Sequence, residues 1–260
     1  MPIQITAPGT WCLRRDVYTN AAAGGVVNIY ANNVTVDCSG FRLSNIPAGV
    51  RTRSIGVWSW GFSNVTVRNC TIEGFLVGIS IAGSVPGLGH VIEANRLSLN
   101  RYIGIDVVGF GSVVCGNIVD NTGGGPGIGQ AWGIRALGGV DVIDNVVDGT
   151  VDDGVETSFS STGIWAADFA GQNPDVTSRA VWILGNRVRN LLQKGLSLPT
   201  GIAVYGTGIW VRDNLIAQST LTSGSGVYCV GDAQVRDNVI KNYSTGLDTR
   251  CTDNGGNVAY

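Results

Sequence analysis

Three carboxylates, Asp152, Asp153 and Glu156, fall within five residues of one another. Oxygen ligands packed this closely suit a hard cation, and Ca2+ is the cofactor they suggest. A solvated acidic turn would be spelled the same way. The three residues are also catalytic candidates, together with Asp106 and Arg135. An arginine can grip a uronate carboxylate in a two-pronged fork, and an aspartate beside it can help to abstract a proton. That chemistry is elimination from an acidic sugar. Asp106 with Asp152, Asp153 or Glu156 would alternatively supply the carboxylate pair that glycoside hydrolysis needs. Trp58, Trp60, Trp165, Tyr205 and Tyr228 are candidate substrate-binding residues, because aromatic faces stack on the CH faces of pyranose rings.

Other chemistries find little support. The chain has one histidine, His90, and none of its six cysteines forms a CxxC pair, so a structural zinc site is not expected. Gly123-Gly124-Gly125-Pro126-Gly127 is superficially like a phosphate loop but lacks the following Lys-Ser/Thr and helix. Seventeen basic against nineteen acidic residues give a net charge of −2, which argues against a nucleic-acid partner held by bulk charge. The charge-free stretch from Val17 to Val36 is broken by four asparagines, so no membrane span is expected. No basic stretch leads into an apolar signal-peptide core. The expected partner is a carbohydrate or another small molecule, and oligomeric state is not legible.

The elements that position these residues come from an internal repeat. One unit reads apolar, x, x, Asn, x, apolar, and is centred on Asn95, Asn117, Asn145, Asn186, Asn214 and Asn238. Cys70 occupies the Asn slot of an earlier copy, and Val36 to Phe41 reads as a degenerate first one. A second unit is glycine followed by an aliphatic residue: Gly56, Gly78, Gly104, Gly133, Gly163, Gly201, Gly226 and Gly246, at intervals of 20 to 38 residues. The runs are short, β-branched and alternating, so they read as strands, with the glycines as turns or tight bends between them. No capped amphipathic helix separates them. Such strands bury their apolar sides by coiling into a solenoid, each coil about 4.8 Å above the last. Asn at one repeated corner then forms a ladder, a scaffold role rather than a catalytic one.

These alternating Asn-x-Ile and Gly-Ile units resemble the right-handed parallel β-helix repeats of the pectate-lyase-like superfamily. Ile5 to Leu13 followed by Asn33-Val34-Thr35-Val36-Asp37 resembles the capping region of such proteins. The resemblance implies an all-β fold: one right-handed parallel β-helix domain over residues 1–260, with about eight or nine coils. Residues 1–50 would form the N-terminal cap and first coil, and 246–260 the C-terminal coil and cap. It implies less about function. Of the polygalacturonase-like motifs Asn-Thr-Asp, Asp-Asp, Gly-His-Gly and Arg-Ile-Lys, only Asp152-Asp153 is present. The epimerase Asp-Pro-His and the pectate-lyase Arg-x-Pro-x-x-Arg motifs are missing.

Within such a helix, the position two residues beyond each glycine faces outward. That column reads Trp58, Ser80, Asp106, Arg135, Trp165, Ala203, Tyr228, Asp248, and the next reads Trp60, Ala82, Val108, Leu137, Ala167, Tyr205, Val230, Arg250. In one coil Gly154-Val155 competes with Gly163-Ile164 as the strand start, which would put Glu156 beside Arg135. Three consecutive coils, after Asn117, Asn145 and Asn186, carry longer connections on one edge and are expected to form a wall beside this face.

The leading expectation is a carbohydrate-active enzyme, lyase-like ahead of hydrolytic. The alternatives are a non-catalytic glycan-binding or assembly module, or a small-molecule isomerase or cyclase on the same scaffold. Six cysteines suit disulfides or buried thiols equally. A Cys229–Cys251 bond is expected if the final coil bends near Cys251, and with it a secreted or periplasmic location.

Overall fold

A computed structural model describes residues 2–82, 87–152, 161–168, 180–194 and 198–260. Within them the chain is a right-handed parallel β-helix, with one short 3-10 turn at Ile46–Ala48. Three columns of strands stack along the axis, and every strand pairing is parallel. The first column runs from Ile3–Ile5 through Ala23–Ile29, Arg53–Trp60, Val77–Ala82, Ile103–Phe110, Ala131–Leu137, Ser161–Ala167 and Thr200–Tyr205. It ends in the later halves of Leu215–Val230 and Val239–Leu247. The second column is a ten-stranded sheet from Gly9–Cys12 to Thr252–Asp253. The third starts at Val17–Tyr18 and ends at Val258–Ala259. Eight full coils thus lie between an abbreviated first and last one, as the repeat count leads one to expect.

The core is a set of ladders. In the first column Val27, Val57, Ile79, Ile105, Ile134, Ile164, Ile202, Val227 and Leu247 pair coil to coil, and Ile79 to Val227 are fully buried. Each such side chain contributes roughly 1.5–3 kcal/mol of burial.

The register of the ambiguous coil is set by Ile134 pairing with Ile164. Trp165, not Glu156, therefore lies beside Arg135. Gly154, Val155 and Glu156 are outside the described residues, as is Asp153.

The repeated glycines lie inside strands rather than at turns, which corrects the sequence expectation. Their role is close approach. A Cβ on Gly56, Gly78, Gly104, Gly133, Gly163, Gly201 or Gly226 would lie 2.5–2.7 Å from the carbonyl oxygen of the equivalent glycine one coil on. No larger residue fits without moving backbone.

The asparagine ladder holds one corner. Asn145 Nδ2 donates to Val114 O (2.9 Å), Ile143 O (3.0 Å) and Asn186 Oδ1 (3.0 Å), while its own Oδ1 accepts from the backbone and side-chain amides of Asn117. The same pattern continues to Asn257. At its N-terminal end the ladder becomes covalent: Cys70 N–H donates to Asn95 Oδ1, and Cys70 is bonded to Cys38. A second disulfide joins Cys229 and Cys251, whose Cα atoms are 5.2 Å apart. The required bend is present: after Leu247 the chain turns, with Cys251 N–H donating to Asp248 O. Cys12 and Cys115 are free.

His90 is a scaffold residue. It is fully buried, its Nδ1 accepts from the Val65 N–H, and burial pushes its pKa down to about 4.

Candidate functional site: an aromatic row beside an ion pair

The first column presents its outward positions in register, as its spacing implies. Trp58, Ser80, Asp106, Arg135, Trp165, Ala203 and Tyr228 are successive partners up the stack. Ala167, Tyr205 and Val230 follow one another in the next column.

Arg135 and Asp106 form a two-pronged pair, Nε to Oδ1 at 2.7 Å and Nη2 to Oδ2 at 2.8 Å. Ser80 Oγ adds a third hydrogen bond to Asp106 Oδ2 at 3.3 Å. The Asp106 side chain is only 6% exposed, against 25% for Arg135. Burial alone would lower the Arg135 pKa, but the hydrogen bonds and charge of Asp106 more than offset it and hold the guanidinium above its usual range. Asp106 is thus engaged on both oxygens, and the pairing fixes the position of Arg135.

Around this pair runs a continuous line of rings. Tyr102 and Trp132 lie 5.1 Å apart between centroids, and Trp132 stacks on Trp165 at 5.3 Å with 15° between planes. Trp165 meets Tyr205 edge-on at 5.8 Å, and Tyr205 lies 6.1 Å from Tyr228. The Arg250 guanidinium caps the row 4.2 Å above Tyr228 and is itself paired with Asp248. The Arg135 guanidinium lies 5.3 Å from the Trp132 ring. Five rings from five consecutive coils make a strip on the order of 20 Å long. Burial, with Tyr228 beside it, pushes the Tyr205 hydroxyl above its usual pKa, so it is a neutral hydrogen-bonding group at physiological pH.

Trp165, Tyr205 and Tyr228 are therefore brought together, whereas Trp58 and Trp60 are not. Trp58 lies beyond Ser80, edge-on to Tyr30 at 5.8 Å, and Trp60 is 51% exposed opposite Ala82. Tyr102 and Trp132 were not anticipated. Trp132 immediately precedes Gly133, and Tyr102 lies two residues before Gly104; an aromatic just ahead of a Gly-Ile pair is the signal that identifies them.

The long connections begin as stacked extra rungs at the row's flank. Gly123 pairs with Val151, and Val151 with Leu192, by parallel bridges. Gln130 Nε2 donates to the Tyr102 hydroxyl at 3.1 Å, tying the first of these connections to the first ring. Asp152 is buried at the base of the second, and its Oδ1 accepts from Lys194 N–H at 3.1 Å. Asp153 and Glu156, its expected co-ligands for Ca2+, lie outside the described residues. Among the described residues no group of three His, Cys, Asp or Glu could hold a metal. One buried carboxylate escaped the sequence reading: Asp168, next to Ala167, whose backbone N–H donates to Tyr205 O at 2.9 Å.

No family model and no curated protein matches the chain. Among solved structures it is similar to the Dettilon tailspike protein, at 14% identity over 98% of this chain and 56% of that one, with a TM-score of 0.46. It is also similar to the mannuronan C-5 epimerase AlgE6 A-module of Azotobacter vinelandii, at 15% identity, 97% and 89% coverage and a TM-score of 0.39. A third is the catalytic domain of a GH87 alpha-1,3-glucanase in complex with nigerose, at 12% identity, 98% and 64% coverage and a TM-score of 0.30. The chain spans little more than half of the tailspike and under two thirds of the glucanase domain.

Proposed function

We propose that the protein binds a glycan along the outer face of its first strand column, with successive sugar rings lying on the row from Tyr102 to Tyr228. The observation that carries this reading is the continuity of that row. Five half-exposed rings, one from each of five consecutive coils, are held on a rigid ladder. A core-packing role would bury them; a chain of sugars uses a strip of this length. Kinship with the pectate-lyase-like superfamily is part of the proposal and is supported by the repeat units. Two disulfides support an oxidising location, secreted or periplasmic.

Lyase action on a uronate is the second reading, favoured by one observation: Arg135 lies within the row, between Asp106 and Trp165. It could neutralise a uronate carboxylate, and Asp106, once that carboxylate takes over Arg135, is the adjacent candidate for the C5 proton. A glycan array followed by titration calorimetry tests the binding reading. The unsaturated-product assay on uronate polymers tests the catalytic one, with added Ca2+ and with chelator because Asp152, Asp153 and Glu156 are the candidate Ca2+ ligands. A protein that retains no glycan at all would remove both.

A further inference from the structure

We propose that a cleft lined by Arg51, Arg53 and Arg101 takes an anionic substituent, a carboxylate or sulfate ester, of the glycan that lies on the aromatic row. The proposal rests on the glycan-binding reading above and adds the charge class of the ligand.

The cleft has a volume of about 510 Å³, and its remaining walls include Pro126, Gly127 and Ile128 of the first long connection. Among the described residues no acidic one lines it. Among the described residues eight other arginines form ion pairs with Asp or Glu, whereas Arg51, Arg53 and Arg101 form none. Three arginines on the walls of one cleft, none of them ion-paired among the described residues, offer an anion forked donors and positive charge.

Arg101 supplies an independent observation. Its Nε is buried and has no hydrogen-bond partner. A desolvated N–H donor left unpaired costs free energy, and it marks Arg101 as a guanidinium short of oxygen partners. Burial also pulls the Arg101 pKa below its usual range, as expected of a cation lacking a counter-ion.

The cleft and the row are adjacent along the chain at two points. Arg101 directly precedes Tyr102, the first ring, and Ile128 lies two residues before Gln130, which holds the Tyr102 hydroxyl. A glycan whose sugars follow the row towards Tyr102 therefore arrives at the three arginines. A tethered carboxylate or sulfate gains from both surfaces at once, whereas a free anion has the cleft alone.

The test compares a sulfated or uronate oligosaccharide with its uncharged counterpart by titration calorimetry at low salt, with sodium sulfate as a third ligand. Arg51→Gln/Arg53→Gln is the informative variant, because both side chains are exposed and their loss leaves the core intact. The charged oligosaccharide should bind at least tenfold tighter than the neutral one. The variant should erase that difference and leave neutral binding unchanged, while Trp165→Ala weakens both ligands. Equal affinity for charged and neutral oligosaccharides overturns the proposal, as does a preference that survives the double substitution. Sulfate binding that depends on Arg51 and Arg53, with no oligosaccharide bound, upholds the anion site and removes the glycan reading. Absence of both removes both.

Discussion

Asp106 and Arg135 face each other across adjacent coils, two hydrogen bonds joining two groups that share one strand register. The aspartate is the more deeply buried partner. Asp106→Ala leaves a largely covered guanidinium without a counter-charge, the costly way to break an ion pair. The partial exposure of Arg135 lets water screen some of that cost, so the expected loss is about 2 kcal/mol rather than the larger values of fully buried pairs. The double substitution Asp106→Ala/Arg135→Ala should lose less than the sum of the two single ones. Urea denaturation of all four proteins measures that coupling, and strict additivity would contradict the pairing.

The aromatic row makes a positional claim. Trp165 is in its centre, touching Trp132 on one side and Tyr205 on the other. Trp165→Ala should weaken glycan binding by about 1–2 kcal/mol, or roughly five- to thirty-fold. Trp60, exposed but off the row, should change affinity less than twofold when replaced by alanine. Calorimetry with one oligosaccharide and both variants decides the matter. A larger effect at Trp60 would place the ligand over the N-terminal coils instead.

The contrast between Trp165 and Trp132 shows where sequence stops being legible. The solenoid could be read because its repeats carry packing: Ile134 and Ile164 are spaced as ladder partners, and that is what they are. Trp165 follows by simple alternation from Ile164. Trp132 does not, because Trp132 and Arg135 both face outward although three residues apart. The inward-facing Gly133, pressed against the neighbouring backbone, interrupts the two-residue period there. Any column built from strict alternation misses Trp132, and with it the join to Tyr102. The Cys38–Cys70 bond was hidden for a related reason. Cys70 is visible in the Asn slot, but the copy containing Cys38 departs from the repeat spacing, so nothing in the sequence paired them.

His90 gives a pH dependence. Its imidazole is fully buried and held neutral, with a pKa near 4 against 6.5 for the free side chain. The unfolded chain takes up a proton below pH 6.5 and the folded one only near pH 4, so acid favours unfolding across that interval. Stability is unaffected above pH 6.5 and should fall by about 3 kcal/mol by pH 4. His90→Gln should flatten this slope. Urea midpoints at pH 7, 5.5 and 4.5 for the two proteins measure it, and parallel curves would show that other groups carry the acid sensitivity.

The two disulfides enclose 32 and 22 residues in sequence separation. Closing loops of this size in the unfolded chain stabilises the fold by about 3 kcal/mol each in the chain-entropy account. Cys229→Ser/Cys251→Ser should therefore lower stability by an amount of that order, and a non-reducing peptide map of the native protein should recover both cross-links.

Asn145 and Asn257 sit on the same ladder with different surroundings, and the comparison isolates what the ladder does. Asn145 is fully buried between two coils, and its amide satisfies carbonyls on both sides as well as the backbone N–H of Asn117. Removing it orphans several buried groups at once. Asn145→Ala should cost about 3 kcal/mol, the upper end for a lost buried hydrogen-bonding group. Asn257 ends the ladder with one side open: its Oδ1 accepts from Asn238, and its Nδ2 donates to Val235 O and to the exposed Asp253 carboxylate. Water can replace its outer partners, so Asn257→Ala should cost about 1 kcal/mol. Asn145→Asp tests the chemistry more sharply than alanine, because it keeps the shape but replaces the amide donors with a carboxylate. That carboxylate would face the Val114, Ile143 and Asn186 oxygens, and the variant should be less stable than Asn145→Ala. Denaturation midpoints in the order Asn257→Ala, Asn145→Ala, Asn145→Asp, from most to least stable, are the expected result. An Asn145→Asp protein as stable as the native one would mean that the ladder is held by shape and not by its hydrogen bonds.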